Sequence, residues 1–137
     1  MKRYELYAKR KEWLIRHHSY SMSYYDSFDY SVLKNIMYLT RSGKGHGETF
    51  NDVIMMLDTE TSKEKPGTIC KNYIVAWTLS IRAFDQNIVT LWGQKPSEVV
   101  TCIGKILMQL SGNKTVIYIH NMSYDWGFLR KFFMAAW

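Results

Sequence analysis

Long apolar runs are missing from this chain of 137 residues. No stretch approaches the roughly 18 apolar residues that a membrane-crossing helix needs, so no membrane partner is expected. The start, Met1-Lys2-Arg3-Tyr4-Glu5, leads into charge and not into an apolar signal core, which makes a cytoplasmic location the expectation. Cysteine is scarce. Cys70 and Cys102 stand without a Cys-x-x-Cys or a Cys/His cluster, which excludes a disulfide framework and a zinc site and leaves both as buried thiols. Histidine at metal spacing is missing as well, because His17-His18 and His46 lack companion ligands. A phosphate loop fails on spacing: Lys44 is followed by Gly45, and no glycine lies five residues before Gly43. Acids are few, 12 against 18 Lys plus Arg, and the resulting +6 and pI near 9.3 suit a polyanionic partner.

What the chain does have is apolar residues at 47%, enough for a real core in one domain, and an unusually high aromatic share of 15%. Residues 1–50 differ from the rest. They hold ten of the aromatics and nine basic residues against five acidic ones, so +4 of the +6 sits there. They divide into a basic helix over 4–17, with Tyr7, Lys11, Leu14 and His18 on one side, a Ser/Tyr/Asp-rich loop over 19–29, a helix over 31–40 and a glycine-rich linker over 41–47. Interleaved bases and rings suit a single-stranded nucleic acid, whose phosphates need cations and whose bases need flat partners. The same residues also fit a plainer role, tyrosines packing this extension on the core and bases forming a solvated face.

Residues 51–137 read as an α/β domain. The organising stretch is Val53-Ile54-Met55-Met56-Leu57-Asp58-Thr59-Glu60-Thr61, an apolar strand that delivers acids at its end. Side chains alternate along a strand at about 3.3 Å per residue, so Asp58 and Glu60 share a face, with Cα atoms about 6–7 Å apart. Two carboxylates so placed can close on one divalent ion, as two-metal phosphoryl chemistry requires. For 12 acids in this length chance predicts about one such pair, and this is the one present, so the apolar run before it supplies the context. A strand over 73–81 and its partner over 87–92, turning at 84–86, form an antiparallel hairpin beside the first strand. Residues 96–110 are an amphipathic helix that opens at Pro96 and ends at Ser111-Gly112-Asn113. A wholly apolar strand over 116–119 is of the kind buried on both faces. After His120-Asn121-Met122-Ser123 a second helix runs over 124–137. The order is strand, hairpin, helix, strand, helix.

This order puts Asp125 in the first turn of a helix, just past a strand expected to run parallel to that of Asp58. C-terminal strand ends then share an edge, where Asp58, Glu60 and Asp125 can converge beside Asn121. A carboxylate at a helix start is also stabilised by the helix dipole whatever its function.

Asp58-Thr59-Glu60-Thr61 after an apolar strand, followed about sixty residues on by His120-Asn121-Met122-Ser123-Tyr124-Asp125, resembles the first and second exonuclease motifs of protein-primed family B DNA polymerases of phages and related plasmids. The resemblance covers residues 52–137. It implies a ribonuclease H-like 3′-5′ exonuclease fold with a mixed sheet, a role in DNA replication, and a location in host cytoplasm for a phage-encoded chain. It makes Asp58, Glu60 and Asp125 catalytic carboxylates that ligate Mg²⁺ or Mn²⁺. It also makes Thr61, His120, Asn121 and Tyr124 the residues that hold the 3′ end of single-stranded DNA. The residue types agree: Tyr124 offers a ring for a base, and the others offer donors for phosphate or sugar. A third motif, Tyr-x-x-x-Asp on a later helix, is not found up to Trp137, and neither is a polymerase region. The expectation is therefore a truncated exonuclease domain with impaired metal binding and turnover. The alternative is a non-catalytic protein that reuses the scaffold to bind nucleic acid or a host protein, as an inhibitor does.

Overall fold

The computed structural model describes residues 5, 8–9, 11–12, 22–36, 39–41, 49–63, 72–83, 86–109, 114–120 and 122–136. These form a mixed α/β fold around one sheet. Its strands are β1 (Met22–Tyr24), β2 (Leu39–Arg41), β3 (Thr49–Lys63), β4 (Asn72–Ala83), β5 (Gln86–Gly93) and β6 (Lys114–Ile119). The order across the sheet is β1-β5-β4-β3-β2, with β6 also paired to β3. The meander β3-β4-β5 is antiparallel, whereas β1 runs parallel to β5 and β6 parallel to β3. A 3-10 turn (Tyr30–Val32) leads into the short helix α1 (Leu33–Ile36), and two longer helices follow, α2 (Pro96–Met108) and α3 (Met122–Ala136).

Alternation along β3 decides which side of the sheet is the core. Val53, Met55 and Leu57 are buried, while Ile54 and Met56 between them are 45% and 41% exposed. The buried set pairs with Trp77, Leu79 and Ile81 of β4 through the register Met55↔Ile81, Leu57↔Leu79 and Thr59↔Trp77. Onto this inner face α2 brings Val99, Cys102, Ile103 and Ile106, and α3 brings Leu129. Both longer helices lie on this side: a largely apolar cavity of about 690 Å³ separates Leu57, Ile117 and Ile119 of the sheet from Ile103 of α2 and Trp126 of α3. The strand at residues 116–119 is accordingly not buried on both faces. Val116 and Tyr118 are 38% and 58% exposed, because nothing among the described helices packs on their side.

The start of α2 is built locally. Pro96 fixes the first helical residue, and the Glu98 carboxylate accepts from the Lys95 and Gln94 backbone N–H groups at 3.1 and 3.3 Å.

β1 and β2 belong to the same sheet. β1 lies within the stretch expected as a loop, and β2 spans the last two residues of the one expected as a helix and the first of the expected linker, while α1 covers Leu33–Ile36. Tyr30 and Leu33 enter the core. The Tyr30 hydroxyl donates to the Tyr25 carbonyl at 2.7 Å and lies 3.3 Å from Cys102 Sγ. Lys105 Nζ meets Asp26 at 2.8 Å and stands over the Tyr25 and Tyr30 rings. The helix expected over 4–17 is represented by Glu5, Ala8, Lys9, Lys11 and Glu12, which are helical and exposed, and the rest of it lies outside the described residues. Cys70 and most of the linker at 41–47 lie outside them too.

Burial pushes the Cys102 thiol up to about 11 from an ordinary value of 9.0, although the Tyr30 contact and Lys105 pull the other way. The Tyr30 phenol moves in the same direction for the same first cause. A group whose folded value is raised holds its stabilising share below the unfolded value and loses it as pH climbs to the folded one. Denaturant midpoints are therefore expected to hold steady to about pH 9 and to fall between pH 9 and 11, by on the order of 1–2 kcal/mol for Cys102. In Cys102→Ala this slope should shrink while overall stability drops, and an unchanged slope would show that the thiol is not its source.

Candidate functional site

β3 does not stop at its acids but runs through them to Lys63, so Asp58 and Glu60 are strand residues and not strand-end residues. They share a face, as the spacing requires, and both are exposed. That face is the one carrying Ile54 and Met56, opposite the core. Asp58 Oδ1 accepts from the backbone N–H of Thr59 at 3.0 Å. Thr59 and Thr61, at the alternate positions, are half-buried on the helix side. A register shift in the β3–β4 ladder falls between Glu60 and Thr61, opposite the exposed Val75.

β6 is parallel to β3 and ends with Ile119 opposite Leu57, so the two chain directions match at this edge, as expected. His120 follows in an exposed turn. Asn121 lies outside the described residues, as does the side chain of Tyr124, whose backbone is in the first turn of α3. Asp125 also sits in that turn and is buried at 3% exposure. Its Oδ1 accepts a hydrogen bond from the Thr59 hydroxyl, and its Oδ2 is buried with no partner.

Two sequence motifs 66 residues apart are thus joined through Thr59, the residue between the acids. The three carboxylates are not joined. Strand alternation sends Asp58 and Glu60 to the outer face while Asp125 meets Thr59 on the inner one. Among the described residues no group of three His, Cys, Asp or Glu side chains is placed to hold a metal. A two-metal centre of Mg²⁺ or Mn²⁺ does not fit this arrangement, because its ligands would have to reach one cation from opposite sides of a strand. The apolar cavity under Trp126 contains none of these acids either.

Thr59 is the residue that sequence reasoning passed over. Its signal was available: in an Asp-x-Glu strand the middle residue faces whatever packs on the core side, and a threonine there can serve a buried acceptor.

No protein-family model, curated protein or solved structure matches this chain.

Proposed function

We propose that this chain is a ribonuclease H-like, exonuclease-type scaffold that binds single-stranded DNA and, in the arrangement described here, holds a strand without cutting it. The observation that carries the reading is the Thr59–Asp125 contact. It ties β3 at Thr59 to the first turn of α3 at Asp125, and so links the two stretches that resemble the first and second exonuclease motifs of phage-type family B polymerases. The parallel β3–β6 pairing and the net charge of +6 support the same reading. The separation of Asp125 from Asp58 and Glu60 favours binding over turnover.

An end-labelled single-stranded oligonucleotide tests it. Retention at low salt that weakens steeply as salt rises is the expected result, with no Mg²⁺-dependent shortening that Asp58→Ala removes. Digestion by the wild type that Asp58→Ala abolishes would make the chain a nuclease and overturn the non-catalytic part. A flat salt response would point instead to a host protein as partner. Ile54 and Met56, apolar and exposed on the outer face, favour that second reading.

A further inference from the structure

The outer face of the sheet, opposite α2 and α3, is crossed by residues in direct register. Along one row Tyr24 pairs with Trp92, Trp92 with Thr78, and Thr78 with Asp58. Along the next, Met22 pairs with Thr90, Thr90 with Ser80, Ser80 with Met56, and Met56 with Tyr118. Directly paired residues share a face, so three aromatic rings from β1, β5 and β6 stand on the same surface as the Asp58 and Glu60 carboxylates. The rings are open to solvent: Tyr24 and Trp92 are each 37% exposed and Tyr118 is 58% exposed.

We propose that this face is a stacking platform for single-stranded DNA, with Tyr118 on one side of the carboxylate pair and Tyr24 with Trp92 on the other. The inference rests on the single-stranded DNA reading above and names the surface that carries it. Neighbouring strands are about 4.8 Å apart, so two strand spacings separate the Trp92 strand from the Asp58 strand and one separates the Tyr118 strand from it. A strand of unpaired nucleotides laid across the sheet meets a flat partner on each side of the acids. The Tyr24–Trp92 end is preformed. The two rings are 5.0 Å apart and tilted, and Tyr24 is braced edge-on against Tyr25 at 4.8 Å, so little freedom is lost when a base stacks there. Arg82, opposite Ile54, lies toward one end of this face, and Asp58 and Glu60 lie toward the other. Rings on an open sheet favour unpaired bases, whose faces a duplex hides.

Fluorescence anisotropy of a labelled oligo-dT of about twelve nucleotides, in EDTA and low salt, reads the platform directly. Tyr118→Ala and Tyr24→Ala are each expected to weaken binding about tenfold, while Trp92→Phe, which keeps a ring, stays within about threefold of wild type. Tyr118 is the decisive position, because its exposure makes loss of the fold an improbable result of trimming it, and urea unfolding of the variant checks this. Wild-type binding left intact in Tyr118→Ala and Tyr24→Ala overturns the platform while leaving the single-stranded DNA reading standing. Absence of wild-type binding overturns both. Binding of duplex DNA, or of oligo-rU, more tightly than oligo-dT also overturns the platform as assigned.

Discussion

Trp77→Ala is expected to lower the stability of the fold by about 3–5 kcal/mol, the largest single effect in this core. The indole is 1% exposed and stands on β4 at the crossing of two ladders, opposite Thr59 on one side and Gly93 on the other. The Tyr25 ring packs on it at 5.8 Å. Gly93 makes the space: a Cβ there would come within 2.6 Å of Trp77 Cε2 and Nε1 and 2.5 Å of Glu98 Oε2, so the glycine is dictated by the indole beside it and by the carboxylate that starts α2. Gly93→Ala alone should cost about 1–3 kcal/mol through overpacking. Placed in the Trp77→Ala background it should cost far less, because the methyl then enters a cavity. Urea unfolding of the four proteins measures the coupling. Equal costs of Gly93→Ala in both backgrounds would show that the indole does not set the constraint. Trp77→Phe should be milder than its lost area suggests, since Trp77 Nε1 is buried without a partner and its removal returns part of that penalty.

Thr59→Val is expected to destabilise by about 1.5–3 kcal/mol although it keeps the volume and the strand preference of the side chain. The valine takes away the hydroxyl that serves Asp125 Oδ1, and Oδ2 already has no partner, so a carboxyl buried at 3% exposure is left without a donor. Replacing both ends, as in Thr59→Val/Asp125→Leu, removes the buried polar group altogether and should recover most of the loss. Chemical denaturation at pH 7 compares the pair. If the single variant is as stable as wild type, the Thr59–Asp125 contact carries no energy, and the junction between the two motifs loses its physical basis.

The parts of the fold that could be read from sequence are those whose periodicity is written over many residues. Val99, Val100, Ile103 and Ile106 mark α2 to within two residues of its observed end, and the β4–β5 hairpin follows from two apolar, β-branched runs around a turn. The parallel return of β6 beside β3 was legible from the helix between them. Burial was read less well. The apolar run at 116–119 looked two-sided, but pleating puts Val116 and Tyr118, like Ile54 and Met56 of β3, on a face that the described helices leave open. Sequence alone does not say which face of a sheet is covered. β1 and β2 were illegible for another reason: three-residue strands in Ser- and Tyr-rich surroundings carry no period, and they exist through pairing with β5 and β3. At the site, the shared face of Asp58 and Glu60 followed from alternation, and Asp125 fell in the predicted helical turn. Which side of β3 that helix would dock on was not encoded in any local pattern.

The parallel seating of β1 against β5 bears on how the chain reaches this structure. β3, β4 and β5 follow one another and can zip together through short loops, whereas the β1 segment is tied in by contacts such as Tyr30 with Cys102, 72 residues apart. Closing so large a loop is slow and is rewarded only once α2 is already in place. The order of assembly therefore puts the Tyr24 strand last, and until it arrives the outer hydrogen-bonding edge of β5, with Trp92 beside it, is the part of the nascent sheet most open to pairing with another chain.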